Sequence, residues 1–212
     1  MIRQYIDNLS MAASRATHVF VVPVTAALLT LSQVLPVKHK TEEKPVIAPI
    51  GEINESVKKD LIAFMDSLAM RESNNTPTAV NRFGYMGKYQ FGLRTLHGLG
   101  PEFRGITRNQ FLSNGELQDS ALVSYLRMNK QMLADLIINY DGRYINGIYI
   151  TESGILAGAH LVGPHGVLAY FDSTYTIVRN GRSVRPKTID GNGTSVEEYL
   201  KEFSGYSLTA LE

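Results

Sequence analysis

Apolar residues recur at three- and four-residue steps through Val57, Leu61, Phe64, Met65 and Leu68, which places one apolar stripe on a helix running to about Met70. Glu72 lies four residues beyond Leu68, so one further turn of helix would set its carboxylate on the stripe that faces the core. Leu117, Ala121, Tyr125, Met128, Met132 and Leu136 mark a second long helix. A third follows Thr151, an N-cap residue, carries Ile155, Leu156, Ala159 and Val162, and is interrupted at Gly163-Pro164. A last short helix follows Thr194, whose hydroxyl and Glu197 are spaced as a capping box, and stops near Gly205. Between the first two helices, Asn74 to Gly92 is rich in Asn, Pro and Gly, the composition of a turn-dense lobe with short strands at most. The fold class that follows is α+β, predominantly helical, with one small irregular or β lobe.

The N-terminal part follows a different pattern. No Lys, Arg, Asp or Glu occurs from Thr17 to Val37, a stretch long enough to span the hydrocarbon of a bilayer. Arg3 and Arg15 precede it as in a signal peptide, but no small-x-small cleavage site follows at Leu35-Pro36-Val37-Lys38, so an uncleaved anchor is favoured. Pro23, Ser32 and Gln33 leave room for a buried or interfacial helix instead. Residues 38–53 mix charge with Pro45 and Pro49 and show no period, the signature of an extended tether. The expected organisation is a terminal segment over 1–16, a hydrophobic helix over 17–37, a linker over 38–53 and a folded domain over 54–212.

At 212 residues the chain has room for one core and an appendage, not two enzymes. Its net charge of +1 comes from signs scattered along the sequence, without a Lys/Arg block to follow a phosphate backbone, so nucleic acid is not an expected partner. The absence of cysteine removes disulfides, thiolate metal sites and cysteine nucleophiles. No His/Glu pair at zinc spacing and no Gly-x-Ser-x-Gly elbow is present. Asp190-Gly191-Asn192-Gly193-Thr194 opens like a calcium loop, but Ser195 and Lys201 stand where that loop needs Gly and a bidentate Glu, so a turn is expected there. Neither metal nor cofactor is expected.

Arg71-Glu72-Ser73, then Ala79-Val80-Asn81, then the run from Gly84 to Gly92 (Gly-Tyr-Met-Gly-Lys-Tyr-Gln-Phe-Gly), resembles the lytic transglycosylase and goose-type lysozyme families. Those families pair a helix-ending Glu-Ser with a Gly-rich loop closing on Gln. The segment Ile155 to Gly166 is similar to their Ala-Ala-Tyr-Asn-Ala-Gly-Pro-Gly element with one residue inserted, and Ala159-His160 stand in place of Tyr-Asn. The resemblance extends over about Leu61 to Phe171, and its spelling is closest to phage-encoded or secretion-associated members. It implies a lysozyme-like domain with Glu72 as catalytic acid and Ser73, Tyr85, Lys88, Tyr89, Gln90 and His160 as substrate contacts. By residue type alone, Tyr89 fits a core aromatic equally well, and a lone His in an apolar helix such as His160 is more often a core residue.

Breaking a glycosidic bond requires a carboxylic acid that still holds its proton, and apolar surroundings favour that form. Glu72 on the stripe of Leu61, Met65 and Leu68 meets the requirement, although a Glu beside Arg71 at a helix end often only forms an ion pair. No second carboxylate is evident nearby in sequence, and Asp141, Asp172 and Asp190 are too remote to assign. The resemblance therefore implies cleavage of the MurNAc-GlcNAc bond of peptidoglycan with 1,6-anhydromuramoyl products. A hydrolytic muramidase, or a non-catalytic wall-binding or virion protein on the same fold, is the alternative. The expected setting is outside the cytoplasm, with the chain held to the membrane through residues 17–37 or carried in a phage particle or secretion complex.

Overall fold

The computed structural model describes residues 50–211, with side chains from residue 60 onward. The expected segments 1–16 and 17–37, and most of the tether, lie outside the described residues. The fold is a mixed α/β arrangement, roughly half helical, with two small antiparallel sheets. Helix α1 (Ile50–Ser73) already covers the end of the range expected to be linker. The stripe behaves as its spacing requires: Phe64, Leu68 and Ala69 are buried, with Leu61 and Met65 packed against them.

Short helices α2 (Leu93–Gly98) and α3 (Arg108–Leu112) follow, the latter closed by a capping box in which Thr107 and Gln110 exchange hydrogen bonds. The second long helix is broken in two. Helix α4 (Gly115–Met132) ends where Leu133 leaves helical geometry (φ −107°, ψ 13°), and α5 (Ala134–Tyr140) resumes at once. Burial of Leu133, Leu136 and Ile137 on the far side of the break shows why: the bend brings a second apolar face onto the same core.

Next come the hairpin β1 (Tyr144–Ile145) and β2 (Ile148–Tyr149), the central helix α6 (Glu152–Val162), α7 (Pro164–Phe171), and the hairpin β3 (Ile177–Arg179) and β4 (Arg182–Val184). Helix α8 (Val196–Glu202) closes the domain, followed by a 3₁₀ turn at Thr209–Leu211. The β structure expected in Asn74 to Gly92 is limited to isolated bridges at Val80–Met86 and Met86–Phe91. The N-cap of α8 is Ser195, which pairs with Glu198 in a capping box, one residue later than expected from Thr194 and Glu197.

Every residue from Ser153 to Ala159 is buried, so α6 is the axis against which α4, α7 and α8 pack. Its contact with α8 is backbone to backbone at Gly154, where an added Cβ would lie 2.8 Å from the Leu200 carbonyl oxygen. Neither main chain can yield cheaply there. Gly154→Ala is expected to lower stability by about 1–3 kcal/mol, measurable as a lower urea midpoint with unchanged slope; an unchanged midpoint would refute this packing. Among the described residues no single helix is long and apolar enough to cross a membrane, and α6 and α7, apolar enough together, meet at a bend of 118°.

Candidate active site

Glu72 stands in the last turn of α1. The chain reverses immediately after it because Asn74 and Asn75 take left-handed conformations (φ 52° and 54°) that asparagine tolerates. Their N–H groups return to the carbonyls of Met70 and Ala69, which satisfies the helix end. Arg71 does not pair with its neighbour. It reaches α8 instead, 3.8 Å from Glu198, 3.5 Å from Glu202 and over the ring of Tyr199. The carboxylate of Glu72 is thereby left to the interior of a cleft.

Its Oε1 accepts a 2.6 Å hydrogen bond from the hydroxyl of Tyr199, and His160 Nε2 lies 3.9 Å from the same oxygen. The Glu72 side chain keeps 16% of its surface open and His160 only 6%. Burial first, then the negative charge of Glu72 and the hydrogen bond to it, push the Tyr199 phenol above its ordinary range, so it stays a donor at working pH. Nε2–H of His160 donates to the Tyr89 carbonyl at 2.9 Å, while Nδ1 is buried with no partner among the described residues. The imidazole, edge-on to Phe91 and Tyr125, thus ties the Gly-rich loop to α6 directly behind the carboxylate.

Two cavities meet at Glu72. The larger, about 770 Å³, is walled by Asn81, Phe83, Tyr85, Gln90, Tyr125, His160 and His165, by residues of the β3–β4 hairpin and by Asp190 to Asn192. The smaller, about 360 Å³, is lined by Arg71, Gln90, Asp190, Thr194 and Tyr199. Phe83 and Tyr85 are about half exposed, so aromatic faces are open to a ligand in the cleft. Gln90 holds a left-handed φ of 51° with its side-chain amide donating to the Gly87 carbonyl, a strained turn that faces the cleft.

Of the sequence-expected contacts, Glu72, Tyr85, Gln90 and His160 line the cleft together, and Ser73, Lys88 and Tyr89 do not. Those three hold the loop in place. Ser73 Oγ donates to the Lys88 carbonyl at 2.8 Å and accepts from Thr76 N–H. Lys88 is ion-paired with Asp119. Tyr89 is a core ring, 2% exposed, whose hydroxyl donates to Asp119, and burial followed by that carboxylate pushes its phenol well above the usual range. Beside Asp119, the fully buried Gln118 accepts from Lys88 N–H and donates to the carbonyls of Pro77 and Phe111. Gly87 is required at that contact, since a Cβ would lie 2.6 Å from Gln118 Oε1.

The sequence reading missed Tyr199, Gln118 and Asp119. Tyr199 is remote in sequence from Glu72, and a Tyr in an amphipathic helix carries no signal of its own. The expected turn at Asp190 is present: its carboxylate accepts from the N–H groups of Asn192 and Thr194 and from the Asn192 amide. Asn192 also accepts from Arg82 at 3.0 Å, which joins the loop after α1 to the loop before α8 beside the cleft. Among the described residues no group of three or more His, Asp or Glu is arranged to hold a metal ion.

His165 lines the large cavity with Nδ1 2.6 Å from the Tyr175 hydroxyl, and burial holds its pKa below the ordinary value. A depressed pKa in the fold means the unfolded chain takes up the proton more readily. This contribution to stability is therefore present above about pH 6.5 and is lost as pH falls below it. Melting temperatures between pH 8 and pH 5 should fall less for His165→Gln than for the parent; parallel curves would contradict this.

The comparisons with known proteins return nothing: no family model, no curated protein and no solved structure matches the chain.

Proposed function

We propose that this chain cleaves glycans by acid–base chemistry at Glu72. The observation that carries the reading is the Glu72 carboxyl at the meeting point of two cavities, held by the Tyr199 hydroxyl under a wall of half-exposed aromatic rings. Within that class, the reading supported best is a peptidoglycan lytic transglycosylase on a lysozyme-like fold, as the resemblance of Glu72-Ser73 and the Gly84 to Gly92 loop suggests. Glu72 gives its proton to the bridging oxygen as the bond from muramic acid C1 breaks. As a carboxylate it then takes the proton of the same sugar's 6-hydroxyl, whose oxygen bonds to C1 and closes the 1,6-anhydro ring. The attacking group is already tethered, which gives the step the effective concentration of an intramolecular reaction. Asn81, Gln90 and Tyr85 are placed to hold the sugars. The substrate puts the enzyme outside the cytoplasm, anchored through residues 17–37 or delivered by a phage particle or secretion complex.

A second reading is favoured by one observation: Asp190 faces both cavities alongside Glu72, and a second carboxylate is what a hydrolase uses to stabilise charge or activate water. Its oxygens already accept three hydrogen bonds from its own loop, which favours a structural role. Digestion of peptidoglycan in ¹⁸O-water separates the two. Unlabelled anhydromuramoyl ends are expected by mass spectrometry. Labelled reducing ends that vanish in Asp190→Asn would establish hydrolysis, and no cleavage at all would leave a wall-binding or virion protein.

A further inference from the structure

The cleft beyond Glu72 carries positive charge that the fold itself does not neutralise. Arg179, Arg182, Arg185 and Lys187 follow one another at spacings of two and three residues, and no Asp or Glu occurs between Asp172 and Asp190. The spacing disguises the cluster in sequence, and the β3–β4 hairpin gathers it. Arg179 lies opposite Arg182 in the antiparallel register, a like-charge pairing that disfavours a two-stranded ribbon. Among the described residues neither arginine, nor Lys187, enters an ion pair.

Arg185 has a different task. Its guanidinium donates to the carbonyls of Ala169, at 2.7 Å, and of Ser173, which fastens the root of the hairpin to the C-terminal end of α7. Arg179 and Lys187 both line the large cavity with Glu72, and they do so from this fixed base. The carboxylates that share the cavity are occupied, Glu72 by Tyr199 and Asp190 by its own loop. His165 in the same wall is kept neutral by burial. An anion entering this arm would meet two exposed cations with no competing partner.

We propose that the hairpin arm of the cleft is a subsite for a carboxylate carried by the glycan, read by Arg179 and Lys187. This rests on the glycan-cleaving reading of Glu72 and narrows its substrate to acidic sugars. In peptidoglycan the carboxylate has two sources, the lactyl group of muramic acid freed of its peptide and the acids of the peptide stem. Both hang from the same ring position. A polymer of N-acetylglucosamine offers equivalent rings and acetamido groups without the charge.

The test is a binding titration of the full chain carrying Glu72→Gln, with three soluble oligosaccharides of equal length: N-acetylglucosamine only, stem-free glycan, and stem-bearing glycan. At least one acidic oligosaccharide is expected to bind about tenfold tighter than the neutral one at low salt, an advantage that shrinks as salt is added. Adding Arg179→Ala and Lys187→Ala together should erase the advantage and leave the neutral oligosaccharide unaffected, while Arg179→Lys with Lys187→Arg should keep it. Whichever acidic oligosaccharide gains identifies the carboxylate. Equal binding of all three, or an acid preference that survives the double substitution, would overturn the subsite and leave glycan cleavage standing. Failure to bind any of the three, with no cleavage by the parent chain, would remove both readings. Tighter binding of single-stranded DNA than of either glycan at the same salt would reassign the arm to phosphate.

Discussion

Glu72→Gln is expected to reduce release of soluble fragments from purified peptidoglycan by at least about a thousandfold while the protein still folds. The amide is nearly isosteric with the carboxyl, and its Oε1 can still accept the hydrogen bond that Tyr199 donates to Glu72. What it cannot do is give a proton to the bridging oxygen and then take one from the 6-hydroxyl, two steps that the proposed reaction assigns to the same atom pair. Arg71 is held by Glu198 and Glu202, not by Glu72, so the ion pairs of Arg71 are kept. Helical circular dichroism and melting temperature should match the parent. Turnover by the folded variant within tenfold of the parent would end the assignment of Glu72 as the acid.

How much of this was legible in the chain differs from element to element, for physical reasons. The stripe through Leu61, Phe64, Met65 and Leu68 announces α1 because burial on one face imposes a helical period, and the same argument puts Glu72 on the core-facing side, where the structure opens a cleft. The start of α8 could not be fixed in the same way. Thr194 and Ser195 each have a Glu three residues on, and both spell a capping box. What decides between them is Asp190, whose Oδ1 takes the Thr194 N–H into its turn and leaves Ser195 to cap the helix.

The two hairpins carry a local turn signal in the sequence. Asn146-Gly147 sits between the apolar pairs Tyr144-Ile145 and Ile148-Tyr149, Asn180-Gly181 joins Ile177-Val178-Arg179 to Arg182-Ser183-Val184, and both pairs adopt the positive φ angles that a tight two-residue turn requires. The break at Leu133 is different, since no Gly or Pro marks it and only the packing of α4 and α5 produces it. The site shows the same division. Helical spacing points to Glu72, the family resemblance names Tyr85, Gln90 and His160 beside it, and all four line one cleft. Ser73, Lys88 and Tyr89 do not line the cleft: Ser73 bonds to the Lys88 carbonyl, and Lys88 and Tyr89 are held by Gln118 and Asp119 on α4, partners that nothing in the loop names.

Tyr199 is the residue whose removal should most affect the chemistry without removing the acid. Its hydroxyl is the closest hydrogen-bond partner of the Glu72 carboxylate, and the ring is held by Phe203 and by the guanidinium of Arg71, so the donor is fixed in place before any substrate arrives. Tyr199→Phe keeps the ring and deletes only that donor. A hydrogen bond to a charged group contributes about 1.5–3 kcal/mol, so kcat should fall about ten- to a hundredfold, with KM changed little because the phenol orients the carboxyl and not the sugar. The raised phenol pKa supplies an independent readout. A group whose pKa is higher in the fold contributes stability that is complete below its unfolded value, about 10, and is lost as pH rises toward the folded one. The parent should therefore lose stability above about pH 10 more steeply than Tyr199→Phe, in which nothing at this position titrates. A variant with undiminished kcat, or with the same alkaline loss of stability as the parent, would show that the contact seen between Tyr199 and Glu72 plays no part in positioning the acid.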